Sequence, residues 1–207
     1  MRGKFITLEG CDGVGKTTQI RRLQRELNKA GVDFVFTREP GGTVISERIR
    51  DIILDASLKE MDAYTEIFLY AAARRQHVAE FIEKKLAAGT TVFCDRFVDS
   101  TLAYQGYGRG VDPVVIQVCN RIAVGNTDID LTVFFDLPPA KAFARKGGAD
   151  KKDRIESEAL EFHQRVYDGY KKIAASSPER VAVVDASGTP TQVFDRLWLC
   201  LKEHNVL

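Results

Sequence analysis

The sequence predicts an open α/β fold, a five-stranded parallel sheet flanked by helices on both faces. Two observations carry this. Five apolar runs of strand length recur along the chain: FITLE, VDFVFT, TTVFCD, LTVFFD and RVAVVD. Most are continuous rather than alternating, as parallel strands covered on both faces require. Between them lie amphipathic stretches of helical period, the arrangement that right-handed βαβ crossovers produce.

The elements follow in chain order. After FITLE comes a glycine loop, EGCDGVGKTTQ. Ile20, Leu23 and Leu27 then stand at i, i+3 and i+7, which predicts a helix with Arg21, Arg22, Arg25 and Glu26 mostly on the other side. Gly31 supplies its stop. The second run leads into TREPGGT, Thr37 to Thr43. A long helix is expected from about Asp62 to Ala88, with Val78, Phe81, Ile82 and Leu86 inward and Gly89 ending it. The third run leads into CDRFVDSTLAYQGYGRG, Cys94 to Gly110. The fourth ends at Asp136, ahead of Pro138 and Pro139, so Asp136 reads as a helix-start residue rather than a metal ligand. ARKGGADKKDRIE, Ala144 to Glu156, is basic and glycine-bearing with no apolar stripe, and reads as a mobile surface loop. The tail carries Val193, Leu197 and Leu201 at i, i+4 and i+8, a closing helix.

Composition narrows the function classes. At 207 residues, 44% apolar and 29% charged, the chain suits a single domain, 1–207, with a real core. Thirty basic against 29 acidic residues leave a net charge of +1, so nothing global calls for nucleic acid or an anionic membrane. The N-terminus, with four apolar residues before Glu9, lacks a signal-peptide core, and no run approaches the about 18 apolar residues of a membrane span. Cys11, Cys94, Cys119 and Cys200 have no ligand spacing. They read as free thiols in a reducing cytoplasm, and zinc is not expected.

Gly10 to Thr17 fits G-x-x-x-x-G-K-[ST], between a strand and a helix, the context this motif needs. Phosphates require several converging backbone N–H donors, and glycines let the chain wrap without Cβ clashes. Gly10, Cys11, Asp12, Gly13, Val14, Gly15, Lys16, Thr17 and Thr18 are therefore the expected ATP site of a P-loop NTPase fold. Lys16 faces the β- and γ-phosphates, and the Thr17 hydroxyl is a Mg²⁺ ligand. Cys11 reads as a small spacer rather than a reactive thiol. A regulatory GTPase does not fit. The only Asn-Lys pair continues Asn28-Lys29-Ala30-Gly31, and the one D-x-x-G, at Asp185, follows the last strand. Open α/β sheets bind ligands at the carboxyl ends of their strands. Asp95 there is expected to organise Mg²⁺ through water, and Arg96 to grip a phosphate. A small-acceptor kinase, with the basic loop as a lid over the reaction, is the best class.

TREPGGT, FLYAAARRQH, DRFVDSTLAYQG and DRIE, in this order behind EGCDGVGKTT, resemble the thymidylate kinases over essentially the whole chain. The resemblance implies the nucleoside-monophosphate-kinase fold, ATP and Mg²⁺, conversion of dTMP to dTDP, and a homodimer. It makes Arg96 the ligand of the dTMP phosphate, with Arg38 nearby, and sets Tyr70 to stack on thymine. Arg74, four residues on, meets the base oxygen, the pair offering one flat base a π-face and a planar donor fork. Ser100, Thr101 and Gln105 fall in the acceptor-binding stretch, the last two facing the base. Tyr104 crowds the sugar's 2′ position. Asp12 reaches the 3′-hydroxyl, which explains an acid inside the phosphate loop. Gly13 stands where some members have an arginine, so the transition-state charge must be met by lid cations among Arg145, Lys146, Lys151, Lys152 and Arg154. Of these Arg154 is the first choice and Arg145 the second. The expected catalytic set is thus Lys16, Asp12, Arg96, Arg154 and Arg145. His77 and His163 read as structural. The alternatives are another nucleoside-monophosphate or deoxynucleoside kinase and, more distantly, a nonenzymatic nucleotide switch.

Overall fold

The five apolar runs form β1 (Phe5–Glu9), β2 (Phe34–Arg38), β3 (Thr91–Asp95), β4 (Leu131–Asp136) and β5 (Val181–Asp185). The computed structural model describes residues 2–146 and 153–207. All neighbouring strands are parallel, in the order β2-β3-β1-β4-β5, with Ile6 beside Phe93 on one flank and Leu131 on the other. Burial is greatest at the centre of this order: β1 is buried throughout, whereas the edge strand β2 is only half-buried. The chain leaves β1 toward β2 and later returns to its other side at β4. The switch point therefore lies at the carboxyl end of β1, where the glycine loop begins.

The connecting segments are α1 (Lys16–Lys29), α2 (Val44–Leu54), α3 (Ala63–His77), α4 (Glu83–Ala87), α5 (Val98–Thr101), α6 (Pro113–Val124), α7 (Pro139–Lys146), α8 (Leu160–Ser176) and α9 (Pro190–Glu203). The expected Asp62–Ala88 helix is α3 and α4 joined through a π-helical turn at Val78–Ile82. Asp62 caps it by accepting from the Tyr64 and Thr65 amides. Each sheet face has its own core. Leu23, Leu27, Val166, Tyr170, Leu197 and Leu201 of α1, α8 and α9 cover one face. Val78, Ile82 and Leu86 cover Phe5, Val92 and Cys94 on the other.

The basic segment departs from expectation where it can be followed. Ala144 and Arg145 belong to α7, not to a loop, and 147–152, with Lys151 and Lys152, lie outside the described residues, as does the side chain of Lys146. Beyond it, Arg154 and Ile155 are buried rather than on the surface. A single apolar residue accounts for the difference. Ile155 has no periodic partners in its own segment, yet it packs into the same core as Tyr104 and Phe162. Asp136 accepts a hydrogen bond from the Tyr167 hydroxyl at 2.7 Å and opens the approach to α7.

Candidate active site

A cavity of about 400 Å³ opens at the carboxyl ends of β1, β2 and β3, a size suited to a small-molecule site. Its floor is the glycine loop. Gly10, at φ 141°, has no room for a side chain, since a Cβ there would stand 2.9 Å from the Phe135 carbonyl oxygen. Gly13 and Gly15 also take positive φ, which turns the backbone of 13–15 along the cavity. No side chain caps the start of α1, so its first N–H groups remain available to an anion. Lys16 folds back into the loop, donating to the Gly10 carbonyl at 3.0 Å. Burial and the Arg96 charge both push its ammonium pKa down.

The second wall follows β3. Arg96 adopts a left-handed backbone conformation, φ 70°, which costs energy for a residue with a Cβ. The turn is held on either side: the Arg96 amide donates to the Leu8 carbonyl, and the Phe97 amide donates to the Glu9 carboxylate at 2.7 Å. Glu9 is fully buried and also accepts from Ser100 and Tyr170, and burial raises its pKa. The turned Arg96 reaches across to the loop. Its Nη2 donates to Asp12 Oδ1 at 2.7 Å, while the Tyr104 hydroxyl donates to Asp12 Oδ2 at 2.8 Å. Burial works against the Asp12 charge, yet Arg96 and Lys16 outweigh it and hold this carboxyl well below the usual range. The Arg96 guanidinium also lies 4.9 Å over the Tyr104 ring.

The third wall comes from α3 and the segment after α5. Residues 102–108 form a π-helical turn that continues α5, and Tyr104 and Gln105 of the turn line the cavity with Ser100 and Thr101 of α5. Tyr70 lines it too and is half-buried. Arg74 differs from the expected open fork. Of its five N–H groups, Nε meets Glu39, Nη1 meets Thr101 and Asn120, and Nη2 meets the Phe97 carbonyl. One N–H, on Nη2, is left for a ligand. Glu39 in turn is held by His77, whose other nitrogen meets Thr37 at 2.7 Å. His77 thus fixes the TREPGGT loop that sets Arg74. His163 lies outside the cavity, edge-on to Phe143 and Phe162, and burial lowers its pKa.

Most of the expected site is brought together here. Asp12, Gly13, Val14, Gly15, Lys16, Thr17, Arg38 and Asp95 join Arg96 and the third-wall residues around one cavity. Gly10, Cys11 and Thr18 do not line it. Cys11 is buried, and burial pushes its thiol up to about 12, which makes it the inert spacer. Arg145 and Arg154 do not line the cavity either. Arg145 donates to the Ala186 and Gly188 carbonyls beyond β5; Arg154 donates to the Ile53 carbonyl and forms an ion pair with the Glu66 carboxylate. Sequence reasoning missed Glu39, Arg50, Asp153 and Glu156, which do line it. Glu39 was legible as the acid inside TREPGGT, and Asp153 and Glu156 as the acids that flank Arg154 and Ile155 in DRIE; only Arg50 lies where no motif points.

The donor set also suits a divalent cation. Asp95 Oδ1 is buried and has no hydrogen-bond partner, with Lys16 Nζ 3.9 Å away and Thr17 lining the same cavity. Among the described residues no group of three or more His, Cys, Asp or Glu could cage a metal alone. One carboxylate with a hydroxyl, phosphates and water is how Mg²⁺ is commonly held.

A parallel sheet with a glycine loop and Lys16 at its switch point, sharing one cavity with Arg96, Tyr70 and Arg74, defines a P-loop phosphotransferase. The thymidylate kinase family model matches residues 8–197. The thymidylate kinase of Lactobacillus delbrueckii subsp. bulgaricus is 50% identical over 196 residues, covering 93% of this chain and 92% of that one. That of a Synechococcus species is 47% identical, covering 94% and 92%. The solved thymidylate kinase of Ehrlichia chaffeensis superposes with a TM-score of 0.80 at 33% identity, over 97% of this chain and all of that one. The chain belongs to the thymidylate kinase family.

Proposed function

We propose that this protein transfers the γ-phosphoryl group of ATP to dTMP, giving dTDP, with Mg²⁺. The observation that carries the reading is the Asp12–Arg96–Tyr104 cluster, because it ties the phosphate loop to the acceptor pocket. The loop amides and Lys16 hold the donor phosphates. Arg96 grips the acceptor phosphate. Asp12 has a lone pair to spare on each oxygen for the sugar 3′-hydroxyl. Mg²⁺, held by Asp95 through water and by Thr17, would neutralise charge on the donor's phosphate oxygens. The attacking phosphate oxygen is already anionic, so alignment and charge stabilisation replace a general base. Turnover of ATP with dTMP, dCMP, dAMP and thymidine tests the reading. Rapid turnover with dTMP is expected, and ATP use independent of acceptor, or preference for thymidine, would overturn it.

Arg154 fits the proposed lid role even though it rests on Glu66. That carboxylate also meets Arg109 and Gln105, so Arg154 can exchange it for a phosphate without stranding a buried charge. Tyr70 supplies the stacking face. Tyr70→Ala is expected to weaken dTMP binding by roughly 1–3 kcal/mol, as for other base–aromatic stacks, and to leave ATP binding unchanged by calorimetry. A collapse of thermal stability with dTMP binding intact would make Tyr70 a packing residue.

A homodimer is proposed from the outer face of α3 and α6. Val114, Val118 and Ile122 make an i, i+4, i+8 apolar stripe on α6, with Phe68 on the neighbouring α3; Phe68 is 58% exposed and Ile122 68%. An exposed apolar stripe of this kind is characteristic of an interface. The Phe68→Asp/Ile122→Asp double variant is expected to sediment as a monomer while the wild-type chain sediments as a dimer. No helix of the described residues is long and apolar enough to cross a membrane, and all four cysteines are free thiols, which suits a cytoplasmic enzyme of small-molecule substrates.

A further inference from the structure

We infer that Glu66 sets which base the enzyme accepts, by fixing which end of the Gln105 amide faces the cavity. The inference rests on the dTMP kinase reading and deepens it. A glutamine amide has two ends of similar size and opposite hydrogen-bonding character. Gln105 is 1% exposed and lines the cavity with Arg74 and Thr101. Its Nε2 donates to Glu66 Oε1 at 2.7 Å.

The reverse orientation is closed by the groups around Glu66. This carboxylate is itself 1% exposed, on α3 one turn before Tyr70. Arg109 approaches Oε1 through Nε at 3.5 Å and Oε2 through Nη2 at 3.4 Å, and Arg154 Nη2 stands 2.5 Å from Oε2. Guanidinium groups only donate. A proton on Glu66 would have no acceptor among these partners and would leave the two guanidiniums without their buried counter-charge. Glu66 therefore stays a carboxylate, accepting from Arg109 and paired with Arg154, and Gln105 must turn its NH₂ toward it. The Gln105 carbonyl is the end left for the cavity.

This makes a donor–acceptor pattern on the base-reading wall. Arg74 offers its single unspent N–H, and Gln105 offers an oxygen. A 2,4-dioxopyrimidine presents a carbonyl oxygen at C4 beside an N3–H, the complement of that pair. A 4-aminopyrimidine presents N–H at C4 and a bare N3, so both contacts would set like against like. Glu66 itself does not line the cavity. It is a positioning residue.

Glu66→Gln reverses the lock. The new side chain's oxygen goes to the arginines, its NH₂ meets Gln105, and the Gln105 carbonyl turns away from the cavity. The dTMP over dCMP ratio of kcat/KM is expected to fall by at least about tenfold, since sites built on specific hydrogen bonds lose selectivity when one is inverted. The swapped pair Glu66→Gln/Gln105→Glu keeps one carboxylate among the guanidiniums. It again presents an oxygen to the cavity, and is expected to recover most of the wild-type ratio. Arg109→Gln loosens the same cluster without touching the amide and should leave the ratio unchanged. A ratio is insensitive to the folded fraction, so it separates orientation from stability. If folded Glu66→Gln keeps the wild-type ratio, if Arg109→Gln shifts it equally, or if the swap fails to restore it, the inference is wrong. Should Glu66→Gln not fold, the swapped pair decides alone, by keeping or losing the preference. Wild-type protein with no dTMP-dependent turnover would instead sink the kinase reading itself.

Discussion

Lys16→Ala is expected to lower phosphoryl transfer by roughly 10³-fold, the upper range for removing one preorganised charge-stabilising group, in a protein that still folds. Lys16 is the only ammonium among the described residues lining the cavity, and it stands at the start of α1 over the phosphate loop. It is also 8% exposed, and burial lowers its pKa. Holding this charge out of water is therefore an expense of the fold, and its removal should change thermal stability little, within about 1 kcal/mol. ATP should still bind through the loop amides, so the loss appears mainly in kcat. Single-turnover kinetics on the folded variant measures it directly. Retention of a tenth of wild-type turnover would mean that the loop does not position the transferred group.

The sheet was legible because its strands are continuous apolar runs, and burial on both faces leaves no alternation to misread. Long helices such as α1 and α9 were legible for a different reason, one apolar stripe at helical period. The phosphate loop could be read residue by residue, since its function depends on backbone conformation that only glycine adopts at Gly10. Distant pairings were not legible. Nothing in the sequence around Glu66 says that its carboxylate will meet Gln105, Arg109 and Arg154, because those contacts are made by packing α3 against segments far along the chain. The spent donors of Arg74 were hidden for the same reason: Glu39, Thr101, Phe97 and Asn120 converge only in the fold. Ile155 shows the converse error, an isolated apolar residue in a basic stretch whose core position periodicity could not supply.

Arg154→Ala is expected to depress turnover by at least about 10²-fold, equivalent to about 2.7 kcal/mol at 1.36 per decade. Gly13 gives the loop no arginine of its own, and the charge that develops on the transferring phosphoryl group needs a planar donor beyond Lys16 and Arg96. Apparent dTMP affinity should change little, because the interaction is made mainly in the transition state. Stability should fall only modestly, since Glu66 keeps Arg109 and Gln105 when Arg154 is removed. Arg154→Lys should recover only part of the rate, because an ammonium cannot reproduce the guanidinium fork. Arg145→Ala should have the smaller effect, as Arg145 is engaged with the Ala186 and Gly188 carbonyls beyond β5. The measurement is a single-turnover rate beside a melting curve for each variant. If Arg154→Ala melts early and turns over normally, Arg154 belongs to the Glu66 cluster alone and the charge is met by Lys16 and Arg96.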